Sequence, residues 1–212
     1  MSHAESDPLA PLRRPQWQAE LRRKLVHLAF IVLPLVLIHD SLPWPKGLAQ
    51  FRMMLLALVA GAIALDLLRL HDARIRRFFG RFFGELIREH EHFGLLGSTY
   101  LLLAALLAIE IFPHPLAAAA LGFTVLGDAF GALVGRAYGR TKFFRKSLEG
   151  AMGCFAACMV WAVYLVVVVG MTWPIVIVGA LVATFVEVLP IPLDDNLGIT
   201  LAAGYAMRLM LP

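Results

Sequence analysis

Seven long apolar runs limit what this chain can fold into. They lie at about 25–39, 48–69, 94–112, 115–135, 150–170, 174–190 and 197–211. A bilayer core of ~30 Å is crossed by about 20 apolar residues of helix. Sixty per cent of the 212 residues are hydrophobic and the mean hydropathy is +0.76, whereas soluble domains hold roughly 45–50% apolar residues. The expected fold is all-α: one integral-membrane domain over 1–212, a bundle of about seven transmembrane helices. Prolines mark the joints at Pro43, Pro45, Pro113, Pro115, Pro174, Pro190 and Pro192, and Pro34 is expected to kink the first span. Residues 1–20 lack the apolar core of a cleaved signal and read as a cytosolic tail.

The net charge is only +4, but its placement is one-sided. Five cations precede the first span: Arg13, Arg14, Arg22, Arg23 and Lys24. Six more lie between the second and third spans: Arg69, Arg74, Arg76, Arg77, Arg81 and Arg88. Arg136, Arg140, Lys142, Arg145 and Lys146 lie at or between the fourth and fifth. That is sixteen of the nineteen Lys and Arg residues on one side of a seven-span chain. The positive-inside rule puts that side, with the N-terminus, in the cytosol. The expected location is the plasma or inner membrane, with the bilayer itself as a partner and no nucleic acid.

Segment 71–92 has a different pattern. Ile75, Phe78, Phe79, Phe82, Phe83, Leu86 and Ile87 recur at helical spacing, with Arg74, Arg76, Arg77, Arg81, Glu85 and Arg88 on the other face. It is expected to lie on the cytosolic leaflet as an amphipathic anchor, or to gate access for a lipid. Cys154 and Cys158, one turn apart in an apolar run, are expected to pack as small hydrophobes rather than bind metal.

Acids inside spans are costly, by ~2.5–3.5 kcal/mol on insertion scales, and point to function. Asp66 and Asp128 lie within spans, Glu187 near the end of one, and Asp194 and Asp195 in the turn that follows, all toward the cytosolic side. Asp66 and Arg69, at i and i+3, are expected to pair locally. Glu110 falls at the outer end and is expected to be solvated. Asp194 and Asp195 repel one another unless a cation approaches, either from the basic loop or as Mg²⁺, which favours carboxylate, water and phosphate oxygens. Asp128, buried among glycines, also needs a partner.

The stretch after Asp128 supplies candidates. Gly127, Gly131 and Gly135 form a small-residue face on which a helix can pack closely. Gly135 and Gly139 then lead into Lys142, Arg145, Lys146 and Ser147, a combination of glycine, cations and a hydroxyl suited to phosphate. Ser147 and Glu149 also fit the capping box of the next helix. Cations for a polyphosphate and carboxylates for a metal, at a cytosolic surface facing lipid, suit phosphoryl transfer.

Six elements resemble, in order, the CTP-dependent lipid kinases: dolichol kinase, phytol kinase and the diacylglycerol/polyprenol kinase group. They are ELRRKLVH (20–27), DLLRL (66–70), REHEHFGLLGSTY (88–100), GDAFGALVGRAYGR (127–140), KSLEG (146–150) and DDNLGI (194–199). The resemblance implies a multi-pass enzyme that moves the γ-phosphate of CTP to the hydroxyl of a polyprenol, phytol or diacylglycerol, with Mg²⁺ or a similar divalent metal. It implies Asp128, Lys146 and Asp195 as catalytic residues. The nucleotide would be bound by Arg23, Lys24, Gly135, Lys142, Lys146, Ser147 and Asn196, with His27 completing the first element. The metal would be held by Asp128, Glu149, Asp194 and Asp195. The choice of general base stays open between Asp128 and the Asp194–Asp195 pair. A phosphatidate cytidylyltransferase, of the same wider superfamily, is the alternative. Its PGHGGxxDRxD element is absent from this sequence. A transporter or assembly subunit is a third reading. It would place polar groups along the depth of the bilayer, whereas here they gather at one end.

Overall fold

The computed structural model describes residues 15–39, 46–84, 87, 89–144 and 146–211, with only the backbone at 15, 16, 89 and 90. Arg13, Arg14, Pro43, Pro45, Glu85, Leu86, Arg88 and Arg145, all used in the sequence reading, lie outside the described residues. The described chain is almost entirely helical. Helix α1 (Pro15–Ala29) is followed by α2 (Val32–Ile38). The expected first span is thus two helices. Pro34 has no N–H, and its ring crowds the carbonyl four residues back, at Phe30. The break falls at Phe30–Ile31, and Leu33 N–H reaches Phe30 O at 3.0 Å in a tighter turn.

Helix α3 (Gly47–His71) ends where Asp72 begins α4 (Ala73–Phe83) by accepting the backbone N–H of Arg74 and Ile75. Among the described residues the expected 71–92 segment comprises α4 and a 3₁₀ turn at Glu89–Phe93. No residue of α4 is buried: Phe78, Phe82 and Phe83 are exposed and Phe79 is half-buried.

Helices α5 (Gly97–Ile111), α6 (His114–Tyr138), α7 (Leu148–Tyr164), α8 (Trp173–Val188) and α9 (Asp195–Arg208) complete the bundle. Pro115 and Pro174 sit in the first turns of α6 and α8, where a missing N–H costs no bond. A π-helical turn, Leu165–Val169, prolongs α7 and ends at Gly170, whose φ of +76° is left-handed. Helix α6 lies at the centre: it packs on α1, α2, α5, α7, α8 and α9, and its Ala117–Val125 stretch is buried throughout.

Among the described residues three helical segments are long and apolar enough to cross a membrane: α3, α6, and α7 with its π turn. Helices α5 and α8 are apolar but shorter. A helix of 16 residues rises ~24 Å, less than the ~30 Å hydrocarbon core. One departure from the all-α expectation is a small antiparallel pair, β1 (Lys142–Phe143) and β2 (Lys146–Ser147), between α6 and α7.

The cysteines pack as expected. Cys154 and Cys158 are free and buried, with their sulfurs where a Cβ on Gly127 would come within 3.0 and 3.1 Å. Glu110 is half-exposed at the opposite end of the bundle from Asp128, and pairs there with Arg52 at 2.6 Å.

Candidate functional site

The site is assembled where α6 ends and α7 begins. Close approach of these helices depends on glycine on both sides. A Cβ on Gly150 would lie 2.9 Å from Gly131 O and 3.1 Å from Gly135 Cα. The same contact seats Ser147, which caps α7 by accepting Gly150 N–H at 3.1 Å. Small residues let backbones meet without a hydrophobic drive, which lipid does not supply.

Around this joint lies a cavity of about 610 Å³. Its walls carry cations from three places: Arg23 and Lys24 of α1, Arg136 of α6, and Lys142 and Lys146 of the β pair. Acids face them. Lys24 Nζ lies 2.6 Å from Asp128 Oδ2, with both side chains buried, and His27 Nε2 is 3.4 Å from the same oxygen. Lys146 Nζ bridges Glu187 at 2.5 Å and Asp195 at 2.9 Å. Glu20, also buried, takes Arg23 and, at 2.9 Å, Arg136. Burial alone would lower the Lys146 pKa, but the Glu187 and Asp195 carboxylates outweigh it and raise the value above 10.5.

Asp128, Glu187 and Asp195 each offer a carboxylate oxygen, and these oxygens lie within 4.8 Å of one another. Glu187 is 3% exposed, and its second oxygen, Oε2, is buried with no hydrogen-bond partner. An unsatisfied buried carboxylate oxygen is costly. Lys24 and His27 face Asp128, and Lys146 faces Glu187 and Asp195, which leaves the second Glu187 oxygen unused. This donor set of hard oxygens with an unmet acceptor fits a divalent cation of the Mg²⁺ type.

The expected residues divide between several places. Arg23, Lys24, Asp128, Gly135, Lys142, Lys146, Ser147 and Asp195 all line this cavity. Glu149 and Asp194, expected to hold metal, do not belong to the acid group. The Glu149 carboxylate accepts the backbone N–H of Arg140 and Thr141 at 3.1 Å and so fastens the loop. Asp194 caps α9, accepting Asn196 N–H at 3.0 Å. Asn196, expected on the nucleotide, follows Asp195 by ~100° of helical turn. It faces away from the charged cavity, toward α5, where its Nδ2 donates to Gly97 O at 3.1 Å.

Asn196 lines a second cavity, of about 380 Å³. Arg23, Lys24 and Asp128 line both cavities. His27 and Ser98 continue the polar end of the second, and Phe30, Leu65, Phe79, Phe83 and Ile87 form an apolar end. Glu20 and Arg136 have no site role in the sequence reading, and Glu187, singled out there as an acid near a span end, is not in its metal set. The signal for Glu187 was available: it is the single acid of α8.

Asp66 and Arg69 pair as expected, with Arg69 Nε and Nη2 at 3.3 and 3.2 Å from Asp66 Oδ1. They line neither cavity.

No protein-family model matches this chain, and no solved structure matches it. Over 198 residues it is 26% identical to the uncharacterized protein RP860 of Rickettsia prowazekii (strain Madrid E), covering 90% of this chain and 94% of that protein.

Proposed function

We propose that this chain is a CTP-dependent lipid kinase, moving the γ-phosphate of CTP to the hydroxyl of a membrane lipid alcohol. The observation that carries the reading is the meeting of two unlike cavities, one charged and one mainly apolar, at Asp128, Lys24 and Arg23. A reaction between a soluble polyphosphate and a lipid needs such a junction. The preference for CTP rests on the resemblance of the six sequence elements.

In this reading the triphosphate lies in the charged cavity, held by Arg23, Lys142 and Lys146. Ser147 and the opening turn of α7 add a hydroxyl and backbone N–H groups. Asp128, Glu187 and Asp195 would hold the divalent cation, which supplies neutralisation of phosphate charge when bound. The lipid hydroxyl oxygen forms a bond to the γ-phosphorus. The bond from that phosphorus to the β–γ bridging oxygen breaks, and CDP leaves with the electron pair. The hydroxyl proton passes to Asp128, the one carboxylate lining both cavities. Lys24 holds this carboxylate in place through its 2.6 Å contact. The shorter helices complete a multi-pass bundle of about seven spans, with the site on the cytosolic side.

The test is purified protein with Mg²⁺, a lipid alcohol and CTP labelled at either the α or the γ position. Label from the γ position is expected in the lipid. Label from the α position in lipid, with pyrophosphate released, would mean cytidylyl transfer instead. No consumption of nucleotide with any lipid would remove the enzyme reading.

A further inference from the structure

We infer that Phe144 is the platform on which the base of the bound nucleotide stacks. The inference rests on the reading of the charged cavity as a nucleoside triphosphate site, and adds the residue that holds its nucleoside end.

The hairpin between α6 and α7 turns one face to that cavity. Lys142 pairs with Ser147, and Phe143 with Lys146. Alternate residues of a strand share a face. Lys142, Phe144 and Lys146 accordingly line the cavity, and Phe143 does not. Among the described residues, Phe144 is the one aromatic residue in the lining. Exposure rises along this face: Ser147 is buried, Lys146 is half-buried, and Lys142 and Phe144 are exposed. Asp128, where transfer is proposed, is 5% exposed. A triphosphate with its γ-phosphate at Asp128 therefore carries its base outward, toward Phe144.

The backbone at Phe144 is costly to hold. Its φ is +54°, and among the described residues no other non-glycine residue has a positive φ. Phe144 follows the last paired residue, Phe143, and opens the hairpin connection. A tight hairpin asks for positive φ at that position, and Gly or Asn normally supplies it. A bulky side chain there is strained. Burial does not offset the strain, because the side chain is 61% exposed. Strain of this kind collects at ligand clamps, where the side chain itself is needed.

The neighbouring ring leaves room for a ligand. Phe143 and Phe144 meet edge to face, with centroids 4.8 Å apart and planes at 70°. Such a pair covers at most one face of the Phe144 ring. An open aromatic face beside phosphate-binding cations is the combination on which a nucleobase stacks. Every base has a π-face, so stacking is tolerant of base identity. Phe144 thus supplies affinity for the nucleoside rather than the choice of cytosine.

The experiment is equilibrium binding to the full chain in nanodiscs, with Mg²⁺ and no lipid alcohol. The probes are CTP and inorganic tripolyphosphate. F144L keeps apolar bulk without a π-face, F144G removes the ring and relieves the backbone, and F144W keeps an aromatic face. F144L and F144G are expected to weaken CTP about tenfold and to leave tripolyphosphate unchanged. F144W and F143L are expected to bind both probes like the unsubstituted chain. F144G is expected to melt no lower than that chain, which separates lost affinity from lost folding. CTP affinity retained in F144L overturns the inference and leaves the nucleotide site. Equal weakening of CTP and tripolyphosphate overturns it too, making Phe144 a support of the loop. Equal losses in F143L and F144L overturn it by making the two rings a membrane contact. If the unsubstituted chain binds neither probe, the nucleotide reading falls and the inference falls with it.

Discussion

The chain buries two groups of charge, and they are built on opposite terms. In the first, every atom of the Asp66 carboxylate is used: Oδ1 by Arg69, and Oδ2 by Leu96 N–H at 2.9 Å and the Thr99 hydroxyl at 2.7 Å. Arg69 spends its other N–H groups on the carbonyls of Glu91 and Gly94, at 2.9 and 2.6 Å. This ties the 89–97 connection to α3. The second group, around Asp128, brings three acids together, has an oxygen of Glu187 without a partner, and has a cavity beside it. A buried charge whose partners are complete is a fastener. One with an unused acceptor and open space is prepared for something that is not part of the chain.

The largest effects separate the two groups. Asp128→Asn is expected to cut phosphoryl transfer by about 10²–10⁴-fold. It also leaves the Lys24 ammonium buried alone, a loss of about 3–5 kcal/mol in stability, read as a lower melting temperature. The pair Lys24→Met with Asp128→Asn is expected to recover the melting temperature and not the transfer. At the clamp the corresponding pair, Asp66→Leu with Arg69→Met, is expected to recover nothing, because Leu96 N–H and the carbonyls of Glu91 and Gly94 are left without partners. Transfer per folded molecule should be unchanged there. If the clamp pair lost transfer but kept its melting temperature, the contrast between fastener and site would be wrong.

A smaller effect concerns Glu187. Gln in its place still accepts from Lys146 but carries no charge for a cation. The Mg²⁺ concentration for half-maximal transfer is expected to rise by about 10–100-fold, at little cost in folding. A Mg²⁺ titration that does not move would make Glu187 only the counter-ion of Lys146.

Legibility followed the range of the interaction. The helical bundle, the kink at Pro34, the capping by Ser147, the packing of Cys154 and Cys158 and the Asp66–Arg69 pair are local events, set by spacing and by residue type within a turn or two. Eight of the expected site residues meet at the charged cavity because their elements are contiguous stretches that the bundle brings together. What spacing alone did not place was angular or non-local. Asp194, Asp195 and Asn196 are adjacent in sequence, yet the start of α9 sends one to cap the helix, one to Lys146 and one to Gly97. Glu149 reads as a metal acid until its oxygens are seen on the N–H groups of Arg140 and Thr141. The span count was legible only in part: α5 and α8, of 15 and 16 residues, are apolar throughout but short. The second cavity had no sequence signature, since it joins α1, α4, α5 and α9.

Glu149 gives the next effect in size. Its carboxylate holds the loop that carries Lys142, so Glu149→Gln keeps one acceptor and loses the other. A rise of a few-fold in KM for CTP is expected, as one exposed hydrogen bond is weakened, with the Mg²⁺ titration unchanged. A shift in the Mg²⁺ titration would return Glu149 to the metal group.

The smallest effect is an absence of one, and it follows from the Lys146 ion pairs. Its pKa in the folded protein is raised above 10.5, since Glu187 and Asp195 overcome the burial that alone would lower it. For a cation with a raised folded pKa, the stabilisation is fully present below the unfolded value and is lost only as pH climbs through the folded one. The window of change therefore lies above 10.5, and Lys146 keeps its proton from neutrality up to that point. Lys146→Arg carries a charge that is not lost in this range either. Whatever its rate, its pH–rate profile should run parallel to that of the unsubstituted chain between neutrality and 10.5. A wild-type profile that falls alone inside that window would mean the ammonium is losing its proton early. In that case Glu187 and Asp195 would be turned toward partners other than Lys146.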